Sequence, residues 1–147
     1  NNPIVYIENY DFKIGKAITL REGKDIAVIA TGSMVSTALK VAKSLEDKGV
    51  DAKVINIHTI KPLDLEAVKE CCGTKLIVTI EEHSVIGGLG SSVSEVLTKL
   101  SNKPKQLIIG VENEYKRAGT YEFMLEQYGL TPEFIENKIL NEIQGEI

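Results

Sequence analysis

Four runs of apolar, largely β-branched residues punctuate the chain: IAVIA at 26–30, KVINI at 53–57, LIVTI at 76–80 and LIIGV at 107–111. They are too continuous for half-exposed strands, so each is expected to be a central strand buried on both faces. Between the first two, SMVSTALKVAKSLEDKG changes to a helical period. Met34, Ala38, Val41, Ala42 and Leu45 form one stripe, and Gly49 offers a left-handed C-terminal cap. The unit reads as strand, helix, parallel strand.

Two further crossovers follow. Asp64, after Pro62, is placed to accept the first free amides of a helix in which Leu65, Val68 and Cys72 share a face before Gly73. From Leu89 to Leu100 the stripe is Leu89, Val93, Val96, Leu97 and Leu100, with Ser91, Ser92 and Ser94 expected outward. After the fourth run, Thr120 caps a helix carrying Tyr121, Met124, Leu125 and Tyr128 that stops at Gly129. Thr131 is expected to cap another, with Pro132 in its first turn. Before the first run, KAITLREGKD reads as one more short strand turning tightly into the next, expected to be antiparallel at a sheet edge. The predicted fold is Rossmann-like α/β: an open, mostly parallel sheet of about five strands, one an antiparallel edge, with helices on both faces. PIVYIEN at the start reads as a further strand outside this scheme, with Tyr10 to Ile14 as a linker.

Composition narrows the function classes. With 147 residues and 43% hydrophobic content, the chain can fold as one domain without staples. A net charge of −4 leaves no broad cationic surface for nucleic acid, and no stretch approaches a membrane span. Cys71 and Cys72 are adjacent, a spacing that serves neither a CxxC redox motif nor a zinc site and that suits a reducing cytoplasm. The N-terminus lacks the pattern of a signal peptide and an initiator Met, so the chain reads as a cut piece.

Ligands of such sheets bind beyond the carboxyl ends of the strands, which directs attention to Thr31-Gly32-Ser33, His58-Thr59, Glu81 to Gly90 and Glu112 to Glu114. The richest stretch is EEHSVIGGLGS at 81–91. As a dinucleotide fingerprint it fails, because Val93 stands where a third small residue is needed. The glycines still point to either a sharp strand-to-helix corner or amides aimed at an anion. His58 and His83 with Glu81 or Glu82 offer metal-ligand atoms, whose convergence a sequence does not show, and hydrogen bonding at a surface or interface is the expected role. There is no nucleophile elbow or P-loop, and Ser84 beside His83 is a neighbour in sequence only. Glu112, Glu114, Lys116 and Arg117 read as solvated charge or a contact surface.

Taken together, four segments resemble the C-terminal domain of the transketolase family of thiamine-diphosphate enzymes. These are FKIGKAITLREGKDIAVIATGSMV at 12–35, VINIHTIKPLD at 54–64, VTIEEHSVIGGLGSSVSEVL at 78–97 and AGTYEFMLEQYGLTPEFI at 118–135. Each is loose alone, and their order is what is specific. The family includes deoxyxylulose-phosphate synthase and the β chain of 2-oxoacid dehydrogenases, and the last segment favours transketolase proper. PIVYIEN resembles the closing strand of the preceding pyrimidine-binding domain, which sets residues 1–14 apart from a C-terminal domain over 15–147.

The resemblance implies an enzyme that moves a two-carbon ketol unit between sugar phosphates, working as a homodimer with N-terminal domains or a separate N-terminal subunit. Thiamine diphosphate and Mg²⁺ would be held by a G-D-G…N motif in the first domain, and the activating glutamate would lie in the second. Neither stretch is present, so no catalytic, cofactor or metal residue is carried over, and Glu81 and Glu82 are not the activating acid. His58, Glu81, Glu82, His83, Ser84, Gly87, Gly88 and Gly90 are expected to form an interface or anion-binding rim. A chain of another class, a stand-alone module holding a small anion, is the alternative.

Overall fold

The carboxyl ends of four parallel strands define one rim, and their order fixes which loops meet there. The structure, a computed structural model, describes residues 3–6 and 10–145. The sheet runs β1-β3-β2-β4-β5, with β1 Ile18–Arg21, β2 Ile26–Ala30, β3 Ala52–Asn56, β4 Leu76–Ser84 and β5 Lys105–Val111. The last four are mutually parallel and β1 is antiparallel. As expected β1 lies at an edge, but its partner is β3 rather than the next strand in sequence. The reason is that β2 already has β3 on one side and β4 on the other.

All five residues of β2 are buried and alternate between two cores. Ile26, Val28 and Ala30 face α1 Met34–Asp47 and α5 Pro132–Gln144, where Ala38, Val41, Leu45, Ile135 and Ile139 meet them. Ala27 and Ile29 face α2 Leu65–Glu70 and α3 Leu89–Leu97, where Val68, Cys71, Leu89 and Val93 lie. Each buried Leu, Ile or Val contributes about 1.5–3 kcal/mol relative to exposure, so the two cores dominate stability. Gly49 has φ +81° and donates its amide to the Glu46 carbonyl at 2.9 Å, the expected left-handed end of α1.

Several expectations need correction. Leu65 is 50% exposed, and the buried positions are Val68 and Cys71, because α2 is short and gives way to a 3₁₀ turn over Cys71–Gly73 that rephases the stripe. α3 ends at Leu97, and Leu100 follows in a tight turn with its amide on the Leu97 carbonyl. Ser91, Ser92 and Ser94 are half-buried instead of outward, with hydroxyls on the carbonyls of Val85, Gly88 and Gly90. Thr131 precedes α5 without a side-chain cap, whereas Thr120 caps α4 Tyr121–Gln127 by accepting the Phe123 amide. Pro3–Tyr6 pair with none of the five strands, and Ile7 to Asn9 lie outside the described residues.

Candidate functional site

β4 outruns its apolar core by four residues, so Glu81, Glu82, His83 and Ser84 are strand and not loop. Alternation then separates them. Glu81 is 1% exposed, and its carboxylate accepts the amides of Leu89 at 2.7 Å and Gly90 at 2.8 Å. Gly88, at the N-cap position of α3, has no side chain with which to cap it. The strand's own acid does so instead, its charge complementing the helix dipole. A Cβ on Gly88 would overlap that carboxylate, one on Gly90 would overlap Ile108, and one on Gly110 would sit 2.8 Å from the His83 carbonyl. The glycines are therefore the shape of the corner, and Glu81 occupies the two amides that an anion would take.

The remaining acid faces outward. Glu82 is exposed and accepts hydroxyl hydrogens from Ser33, at the start of α1, and from Tyr121 of α4 at 2.8 Å. Burial, then the hydrogen bond to Glu82, pushes the Tyr121 phenol above its ordinary pKa. His83 is exposed with Nδ1 on the Ser84 carbonyl at 3.1 Å. Ser84 accepts the Ile86 amide, and Gly87, at φ +81°, donates its amide to Ser91 Oγ. His58 stands after β3 with its ring 4.4 Å from that of Phe12 and Nδ1 2.9 Å from Thr59 Oγ1. Its Nε2 is buried without a hydrogen-bond partner among the described residues, out of reach of a ligand arriving from solvent.

The eight sequence candidates thus divide into an internal cap (Glu81, Gly88, Gly90), an outer tip (Glu82, His83, Ser84, Gly87) and a separate ring (His58). Among the described residues no group of three or more His, Cys, Asp or Glu is gathered to hold a metal ion. A diphosphate needs several free donors, and the two amides at α3 are already taken. The residues present do not fit thiamine diphosphate with Mg²⁺. The cap by Glu81 was missed in sequence; its one signal is an acid closing an apolar run before a helix that opens on glycine. Burial pushes the Cys71 thiol up to about 12, which removes it as a nucleophile.

Residues 15–135 match the family model described as transketolase, C-terminal domain. The chain belongs to the transketolase C-terminal domain family. It is 38% identical over 139 residues to a putative transketolase C-terminal section of Methanocaldococcus jannaschii, covering 95% of this chain and 43% of that protein. It is 43% identical over 125 residues to the 6-deoxy-6-sulfo-D-fructose transketolase subunit SqwH of Clostridium sp., covering 84% of this chain and 38% of that one. A solved split gene transketolase, described as an inactive beta4 tetramer, superposes with a TM-score of 0.89 at 38% identity over 95% of this chain and 46% of its own. This transketolase C-terminal domain therefore spans less than half the length of these relatives. No helix among the described residues is long and apolar enough to cross a membrane.

Proposed function

We propose that this chain is the C-terminal, structural part of a transketolase that acts only together with an N-terminal subunit or preceding domains. The assembled enzyme moves a two-carbon ketol unit from a ketose phosphate to an aldose phosphate. The donor leaves as an aldose two carbons shorter and the acceptor as a ketose two carbons longer. Thiamine diphosphate and Mg²⁺ belong to the rest of the enzyme, because the strongest anion position here is filled by Glu81. Residues 1–14 are the end of the preceding domain and its linker, and the setting is cytoplasmic, in keeping with free Cys71 and Cys72.

The observation that carries this reading is the 38% identity to a split gene transketolase over 95% of the chain. In this reading the tip formed by Glu82, His83, Ser84 and Gly87 supports assembly, within a homodimer and against the partner portion. One observation favours a second reading. A 1-deoxy-D-xylulose-5-phosphate synthase of Heliobacterium modesticaldum is 40% identical over 119 residues, 80% of this chain and 18% of that enzyme.

The test is to combine the chain with its complementary N-terminal portion, thiamine diphosphate and Mg²⁺, and to assay ketol transfer between sugar phosphates. Activity is expected only in the combined sample. Transfer by this chain alone would contradict the proposal, and condensation of pyruvate with an aldose phosphate would assign it to the synthase branch.

A further inference from the structure

The turn that ends α4 builds a cup at the carboxyl rim of the sheet. Gly129, at φ +66°, donates its amide to the Glu126 carbonyl at 3.1 Å, and Leu130 donates its own to the Leu125 carbonyl at 2.8 Å. Leu130 is thereby folded back toward Leu125 and is 1% exposed. Between α4 and the ends of β4 and β5 lies a cavity of about 320 Å³. Val111, Met124, Leu125, Tyr128 and Leu130 wall it, with Glu82 and Tyr121 beside them. Val111, Leu125 and Tyr128 also pack against the core, which fixes their places. A mostly apolar cavity with a few polar groups, at the small end of the roughly 300–1,000 Å³ range of ligand sites, suits a small ligand.

Charge selects the kind of ligand. Ser33 and Tyr121 both donate hydroxyl hydrogens to Oε2 of Glu82, while Oε1 accepts nothing and no Lys, Arg or His pairs with this carboxylate among the described residues. The start of α1 beside it offsets about half a charge at most. An anion is repelled there. A metal ion needs several converging ligands, and among the described residues no group of three or more His, Cys, Asp or Glu is gathered to hold one. A guanidinium binds a carboxylate best through both oxygens, and one of these already accepts two hydroxyls. A primary ammonium needs only the free oxygen, is attracted by tyrosine rings, and brings an apolar chain for the walls.

We propose that the cup between α4 and the ends of β4 and β5 binds a primary alkylammonium, with an N–H on Glu82 Oε1 and the alkyl chain against Met124, Leu125 and Leu130. Ser33 and Tyr121 are positioning residues that hold the carboxylate toward the cup. A free amine and a lysine side chain of a partner share this chemistry and differ in what is attached to the far end of the chain. The site is independent of the ketol-transfer reading, since binding here uses no cofactor and makes or breaks no covalent bond.

The experiment is an amide NMR titration of the chain with methylammonium, n-butylammonium and neutral n-butanol at constant ionic strength. n-Butylammonium is expected to saturate, to shift the amides of Leu125, Tyr128 and Leu130, and to bind about tenfold or more tightly than n-butanol, the scale of a hydrogen bond to a charged group. Each methylene added up to butyl should tighten binding by about fourfold, whereas a bare surface carboxylate would take all the amines alike. Glu82→Gln should bring the ammonium down to the level of the alcohol, and Tyr128→Ala should weaken both. Glu82 is exposed, so its variant keeps the fold, and the chain-length series needs no variant at all. No saturable binding, methylammonium equal to n-butylammonium, binding unchanged by Glu82→Gln, or shifts confined to other parts of the chain would overturn the proposal. Nα-acetyl-lysine N-methylamide then decides the source. Binding at least as tight as that of n-butylammonium assigns the cup to a lysine side chain of a partner, and weaker binding assigns it to a free amine.

Discussion

Glu81 is a charged side chain at 1% exposure whose cost of burial is offset by two short amide hydrogen bonds. Glu81→Ala leaves those amides bare and should destabilise the fold by about 3 kcal/mol, read as a lower urea midpoint. Gly88→Ala should be costly as well, since its methyl group meets the Glu81 carboxylate, and much less costly in the Glu81→Ala background. A coupling of about 1 kcal/mol or more in this double-mutant cycle is expected; strict additivity would show that the two do not share one space. Residues with local partners were legible in the sequence. Asp64 accepts the Ala67 amide three positions on, as its place before the helix implied. It also accepts the Ala17 amide from a distant segment. Burial raises the Asp64 carboxyl, yet the hydrogen bonds from Ala17 and Ala67 outweigh it and hold the group below its ordinary value. Glu81 caps amides eight and nine residues away across a corner whose shape depends on three-dimensional closure, and no periodicity announces that.

At the scale of elements, α5 locks onto α1 through a polar contact set in an apolar seam. Glu136, nearly buried, accepts the Ser44 hydroxyl at 2.7 Å and pairs with Lys48 at 2.9 Å. The Ser44 hydrogen bond first, and Lys48 after it, hold its carboxyl below the usual range. A depressed folded value means that the stabilisation is complete above the unfolded carboxyl pKa and is lost as pH falls through the folded one. Glu136→Gln should therefore lower the urea midpoint at neutral pH and converge with the parent in acid. A difference that persists unchanged in acid would contradict this account. The strands and long helices were readable because continuous apolar runs and the stripe of α1 dictate them. The short α2 was misphased because six residues and a 3₁₀ turn are too few to establish a period. The end of β4 was unread because its last four residues are polar, and the strand continues only because β5 runs beside it, with Ser84 opposite Val111.

Across the whole molecule, parallel order followed from crossover rules and the antiparallel edge from the tight turn after β1, while the partner of β1 depended on which side of β2 each later strand chose. The family was legible from four segments in sequence, and the match over 15–135 bears it out. Which candidates would cluster was not, because Glu81 and Glu82 are consecutive yet face opposite sides of a strand that their charge argued against. The molecule that results has a rigid two-sided scaffold with its strongest anion position filled from within. Our central claim is that this scaffold assembles the enzyme without supplying a reacting group. The most direct measurement is kcat of the fully assembled enzyme carrying His83→Ala, taken at protein concentrations that saturate assembly, beside the assembly constant itself. The account predicts weaker assembly with kcat nearly unchanged; a fall in kcat of about a hundredfold in the intact assembly, the scale of a lost general acid or base, would contradict it.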